Sequence, residues 1–509
     1  MMDDSNCKAG LAGLALAIIV SLSARYILWF SDISKIPLIN PPSWYDPMNL
    51  LGRVKFALNA KNWVEQGLQN NKPFRLLTEF GELTMIPAKY APELRVDPRL
   101  DSSAVIDLVG KNPIQSHLPG FEGFRLGTPD GHNTREIVTK HLSSFPDEVT
   151  AALSAECDSA LRDILTDSRE WHEVQLKERV MMLIARMSAR IFLGDEGARN
   201  EAWLKITREY TTNGYIASAI LRLWPKPLRP LVNRILPKCR QLRAQVMEAR
   251  KIVNEIIDRR RKTKADALRQ GFPVPVFNDA VEWWEQDTKD ESDEYDPVIG
   301  QLVLSQSSIH TTTDFLTQVI LDIAANPEVK GPLLEETKQA KSTYGWSKSA
   351  LYSMRLTESV MKESQRMKPI ARCTMNRMVL EDMNLSDGTL LKKGTLLGVS
   401  VDRMWDGSVY ENPQKWDGWR FYRKYQQSPE ARDVPIVNTG PNYLAWGHGR
   451  LACAGRFFVT QEAKVALAHL LLKYDWEIVS SPSDTNISEF GLVLASNPKA
   501  RIKIRRRVE

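Results

Sequence analysis

Apolar positions are spread unevenly along this chain, and their period changes several times. The first dense run, AGLAGLALAIIVSLSARYILWF from Ala9 to Phe30, is apolar on every side, with Arg25 as its one charge. At about 1.5 Å per residue it is long enough to span the roughly 30 Å hydrocarbon layer of a bilayer, so a transmembrane helix is predicted. The next stretch, residues 31–47, carries Pro37, Pro41, Pro42 and Pro47 and reads as an extended hinge. Beyond it the dominant period is helical, as in ERVMMLIARMSARIFLG from Glu178 to Gly194, with the glycine as its stop. Alternating, strand-like segments are fewer: FRLLTEFGELTMIP, GTLLGVSV from Gly394, and the terminal ARIKIRRRV. The pattern predicts a mainly α fold with small β-sheets.

Two later helices stand out. Asp296 and Pro297 form an N-cap and first-turn pair, and Asn326-Pro327 a stop. The helix between them would run roughly 40 Å. Its centre, SQSSIHTTTDF, places Ser308, Thr311 and Thr312 where a core helix prefers Leu or Ala. Such hydroxyls can loosen the helical ladder at a functional site, or simply bond back to their own carbonyls. Near the end, RFFVTQEAKVALAHLLLKY is apolar around most of its circumference. The acidic stretch Gln286 to Pro297 reads as a loop between two helices. No repeat or second linker appears, so the expected organisation is a tail 1–8, an anchor 9–30, a hinge 31–47 and one domain 48–509.

Charge gives the anchor a direction. Asp3 and Asp4 precede the span while Arg25 and Lys35 follow its core, which disfavours a cleaved signal peptide and places the body in the cytosol. The whole chain, 509 residues with net charge +6, has no dominant basic cluster, so nucleic-acid binding is not expected. Five cysteines, at 7, 157, 239, 373 and 453, have no C-x-x-C spacing, which argues against a disulfide scaffold or a structural zinc site.

One of them sits in an unusual place. WGHGRLACAGRFF puts Cys453 among Gly447, Gly449 and Gly455, just before the last long helix. Amides and the positive end of a helix dipole stabilise a thiolate there, and a thiolate is a metal ligand. A buried inert cysteine is the alternative, and zinc through His448 lacks further ligands. In ESQR, Glu363 and Arg366 share one helix face, and Arg420 lies in the aromatic segment KWDGWRF. One carboxylate shared by two guanidiniums would be strongly held if buried.

Together, in this order and spacing, the hydroxyl-rich helix, the E-x-x-R pair, the W-R-F segment and the G-x-x-x-C-x-G loop resemble the cytochrome P-450 superfamily of haem-thiolate monooxygenases, from about Pro37 to the C-terminus. IHTTT, FNDAVEWW and GHGR-x-AC are similar to membrane-bound members from filamentous fungi, many of which oxidise terpenoid and indole-diterpene secondary metabolites. The resemblance implies haem b with Cys453 as the axial iron ligand, whose electron donation favours O–O cleavage. It implies proton delivery by Thr312, with Thr311 in the place of the usual acidic neighbour. Glu363, Arg366 and Arg420 would form the structural triad, and Arg450, Arg377, His132 and Arg135 would serve the haem propionates.

Several positions depart from the family. Trp446 replaces the usual Phe, Leu451 an Arg or His facing a propionate, and Ala454 a frequent proline. Substrate contacts are expected after Pro113, near Ser308, in PIARCTM and in EFGLVLAS. LRLWPKPLRPLVNRILP from Leu221 would suit a loop dipping into the membrane interface. The implied enzyme is a single-pass endoplasmic-reticulum protein taking electrons from an NADPH-dependent reductase, with cytochrome b5 as a further partner. Membrane lipid and a small apolar substrate complete its partners. Arg423, Lys424, Arg450 and Arg456 would form a basic face toward the reductase, or a solvated rim. Desaturation, rearrangement or isomerisation in the same fold, or haem binding without turnover, are the rival activities.

Overall fold

The computed structural model describes residues 35–46, 49–101, 117–125, 134–143, 146–287 and 296–508. The predicted span 9–30 and His132 lie outside the described residues. Among those described, no helix is long and apolar enough to cross a membrane. The described residues divide into two compact units: one drawn from residues 35–101, 371–402 and 489–493, the other from the remaining described residues.

The smaller unit is built on a five-stranded sheet. The segment read as strand-like forms two strands, Phe74–Thr78 and Gly81–Ile86, paired antiparallel as a hairpin; Leu396–Ser400, Cys373–Val379 and Leu100–Asp101 complete the order. Helix α1 (Leu50–Leu68) covers a core of Phe56, Val64, Phe74, Leu76 and Met85. Residues expected as a hinge are partly annexed to this sheet. The Arg75 amide donates to the Pro37 carbonyl (2.7 Å) and the Ile39 amide to the Arg75 carbonyl (3.0 Å). The Asn40 side chain pairs with both backbone groups of Leu77. Prolines keep this stretch extended, and an extended chain is what a sheet edge can pair with. Asp46 then caps α1 through the amides of Leu50 (2.8 Å) and Gly52 (2.9 Å).

The larger unit is helical. Its principal helices are α2 (Asp147–Leu165), α3 (Leu176–Phe192), α4 (Glu201–Arg222), α5 (Pro237–Arg269), α6 (Pro297–Ala325), α7 (Lys330–Tyr344), α8 (Arg355–Met367) and α9 (Arg456–Lys473). A three-stranded antiparallel sheet orders His172–Gln175, Arg501–Arg506 and Tyr474–Ile478. At the centre, α6 packs against α3, α4, α8 and α9. Its start is the one the sequence predicts: Asp296 accepts from the amides of Val298 (3.0 Å) and Ile299 (3.4 Å). The mid-helix hydroxyls do not break it. Ser307 donates to the Val303 carbonyl (2.7 Å), and Thr311 to those of Ser307 and Ser308 (both 3.1 Å), while α6 runs unbroken to Ala325. Backbone bonding therefore satisfies the Ser307 and Thr311 hydroxyls, while those of Ser308 and Thr312 meet no partner.

Helix α9 buries a carboxyl group among apolar residues. Ser188 donates to Glu462 Oε1 at 2.8 Å, Oε2 meets no partner, and burial pushes the Glu462 carboxyl from 4.5 to about 8. Between about pH 4.5 and 8 the unfolded chain therefore releases a proton that the folded one keeps, so this group lowers stability as pH rises. Glu462→Gln is expected to flatten that dependence, measured as denaturation midpoints at pH values on either side of the window.

Candidate active site

Four cysteines fall within the described residues, and their surroundings separate them. Cys157, Cys239 and Cys373 are buried, and burial raises their thiol pKa, for Cys239 to about 11 and Cys373 to about 12. Cys453 is exposed. Its sulfur is nevertheless deeply enough placed that burial pushes the thiol up, opposed by the amides of Gly455 and Arg456 and by the guanidiniums of Arg456 and Arg135. A thiol set among protein groups and still exposed can take a ligand, and the opposing groups are those that favour a thiolate once a cation faces it.

The loop that presents this sulfur is pinned from several sides. Gly447 (φ 73°) and Gly449 (φ 81°) take left-handed conformations that turn the chain, and the Cys453 amide donates to the Trp446 carbonyl at 2.8 Å. The Trp446 indole donates to the Ile436 carbonyl (2.9 Å), and its ring meets Phe315 of α6 edge-on at 6.4 Å. Arg456 donates to the carbonyls of Val437 (2.9 Å) and Cys453 (2.7 Å). Arg135 reaches over from another segment to the carbonyls of Arg450 (2.9 Å) and Ala452 (3.2 Å). That clamp was not legible in sequence, because backbone acceptors leave no residue-type signal. His448 pairs with Thr439 (3.1 Å).

On α6, Ser307 and Thr311 are exposed in a helix that is otherwise largely buried. They lie about two turns and one turn, respectively, before Phe315, the residue that meets Trp446, and so lie toward its side of the helix. Thr312 is fully buried on a different face, its hydroxyl without a partner. The geometry therefore selects Thr311 over Thr312 as the accessible hydroxyl, and the reason is rotational: one residue turns the side chain about 100° around the helix. The Ser308 hydroxyl and His310 Nε2 also meet no partner, and burial together with the Lys177 charge keeps the His310 imidazole below its usual range.

The predicted triad is assembled. Glu363 and Arg366 are fully buried. Arg366 donates to both Glu363 oxygens (2.8 and 2.9 Å) and to the Met404 carbonyl (2.6 Å), while Arg420 Nε reaches Glu363 at 3.1 Å. The Asp417 amide (3.1 Å) adds a further bond to the carboxylate. Arg450 is exposed, and Arg377 is buried in the smaller unit. Arg423 and Lys424 are paired with Asp417 and Asp433, and Arg456 is directed into its own loop, so this rim is less basic than the sequence implies.

A second node escaped sequence reading. Asp314 accepts from Lys177 (2.8 Å) and from the Ser496 amide (2.8 Å) and hydroxyl (2.9 Å), and pairs with Lys368. It joins α3, α6, the end of α8 and the C-terminal segment, which are far apart in the chain.

One exposed thiol among the described residues, backed by amides and guanidiniums and set in a loop that meets the α6 face bearing Thr311, fits a haem held by one thiolate. Cys453 would hold its iron, and the group when bound supplies oxygen activation. The comparisons agree. The Cytochrome P-450 family matches residues 123–504. Cytochrome P-450 monooxygenase 1 of Gibberella fujikuroi is 43% identical over 86% of this chain and 98% of its own length. The monooxygenase hepE of Aspergillus oryzae is 40% identical over 93% and 86% respectively. In fold, a retinoic-acid-bound cyanobacterial CYP120A1 superposes with a TM-score of 0.64 over 89% of this chain and 96% of that one, at 18% identity. This chain belongs to the cytochrome P-450 family and is a haem-dependent monooxygenase.

Proposed function

We propose that the enzyme oxidises an apolar secondary-metabolite intermediate of terpenoid or indole-diterpenoid type, anchored in the endoplasmic-reticulum membrane and supplied with electrons by an NADPH-dependent reductase. The observation that carries the site reading is the accessible Cys453 thiol, set in a loop tied to the face of α6 that bears Thr311. Thr311 is assigned the proton-delivering hydroxyl, and His310 then stands as its neighbour in the chain. Haem propionates are assigned to Arg450 and Arg135. Contact with lipid is supported by exposed Leu223, Trp224, Leu228, Leu231 and Ile235 in the larger unit. In the smaller unit, Trp44, Leu51, Val54 and Leu58 are exposed as well. Apolar patches of this kind suit a bilayer surface through which an apolar substrate arrives.

The test is reconstitution with a reductase in lipid. NADPH consumption should be coupled to a product carrying one added oxygen when terpenoid intermediates are offered. If none of them perturbs the Soret band or yields product, the substrate class is wrong. Thr311→Ala should lower product formed per NADPH about 10²-fold, the usual size of a lost proton-transfer group. Thr312→Ala should leave that ratio near wild type. The reverse pattern would return the role to Thr312.

A further inference from the structure

Beside the triad, α8 carries a second buried charged set. Lys362 is 1% exposed, and its Nζ donates to three successive carbonyls, those of Asp433 (2.7 Å), Val434 (3.3 Å) and Pro435 (3.1 Å). One turn earlier, Glu358 Oε1 accepts the next amide, that of Ile436, at 2.9 Å. Lys464 of α9 holds the other Glu358 oxygen (2.7 Å) and the Leu351 carbonyl (2.8 Å). The rings of Phe421 (4.7 Å) and Tyr443 (4.3 Å) flank the Lys362 ammonium.

The segment held in this way is the one that holds the cysteine loop. The Ile436 carbonyl receives the Trp446 indole, and the Val437 carbonyl receives Arg456, which also bonds the Cys453 carbonyl. An ammonium has three donors and no acceptor, which matches three converging carbonyls better than a planar guanidinium does. We propose that Glu358, Lys362 and Lys464 are positioning residues that fix the cysteine loop through the backbone of residues 433–437. The proposal rests on Cys453 being the haem ligand. Its effect is local: α8 and α9 are already packed by their apolar faces and by the triad, so releasing residues 433–437 frees the loop before it unfolds the domain.

The experiment follows the reduced, carbon-monoxide-bound absorption of the haem-loaded full chain during a urea titration, beside its far-ultraviolet circular dichroism. In Lys362→Met, at a urea concentration where helix content is unchanged, the fraction showing a neutral-thiol band should rise about tenfold over wild type, as expected when charge-assisted bonds to a local segment are lost. Lys362→Arg should recover part of the thiolate band. Glu358→Gln carries the same test should Lys362→Met not fold: hydrogen exchange of the amides in residues 433–437 should speed up about tenfold. Loss of the thiolate band in step with helix content, or unchanged exchange in Glu358→Gln, overturns the positioning role. A wild type lacking the thiolate band overturns the ligand reading itself, and this one with it.

Discussion

Cys453→Ser is expected to leave a folded protein without the red-shifted thiolate band in its reduced, carbon-monoxide-bound spectrum, and with oxidative turnover reduced to background. The fold should survive because the side chain is exposed, and the loop is held by groups other than the sulfur. Its amide bonds the Trp446 carbonyl, Arg456 bonds its carbonyl, and Arg135 spans Arg450 and Ala452. Only the donor atom changes. A hydroxyl is a harder and far less acidic donor than a thiol, so it neither binds the iron as firmly nor donates electron density to it. A Cys453→Ser protein with a normal thiolate band, or with wild-type turnover, would remove the ligand assignment. Oxidised products from the other three described cysteines are not a rival explanation, since each is buried with its thiol pKa raised.

The second large effect concerns the triad, and it is one of stability. Glu363→Gln leaves two guanidiniums facing a neutral amide in a site with no exposure on Glu363 or Arg366. Breaking a buried pair by removing one charge costs about 3–5 kcal/mol, because the remaining charge is left uncompensated. The expected outcome is a matching loss in the denaturation free energy and poor haem retention. Arg420→Lys should be milder, about 1.5–3 kcal/mol, the scale of a hydrogen bond to a charged group. Arg420 is also partly exposed and can recruit water. Equal tolerance of both substitutions would show that this cluster contributes little to folding.

These two sites differ in how well the sequence foretold them. Glu363 and Arg366 are three apart on one helix, so their pairing follows from helical geometry, and the aromatic surroundings of Arg420 marked it as a third member. Cys453 was visible from its glycines and the helix after it. Thr311 and Thr312 show the opposite case. Adjacent, chemically identical side chains on one helix cannot be ranked without knowing how the helix is rotated, and the rotation is set by packing against α3, α4, α8 and α9. Lys362 was invisible for another reason: in sequence it is one lysine among many, and only three carbonyls from residues 433–435 give it a function.

What the sequence determined by itself was therefore what periodicity and local spacing control: a mainly helical body, the capped helix from Asp296, strand character within Phe74–Ile86, the E-x-x-R pair and the cysteine loop. Tertiary structure decided what depends on neighbours remote in the chain. It drew residues 36–40 onto a sheet edge, turned Thr311 outward and Thr312 inward, joined Asp314 to two lysines, and laid the backbone of residues 433–435 on a buried ammonium. The physical cause is the same in each case: a backbone carbonyl or a helix rotation has no amino-acid signature, and acquires its role only when packing brings a partner to it.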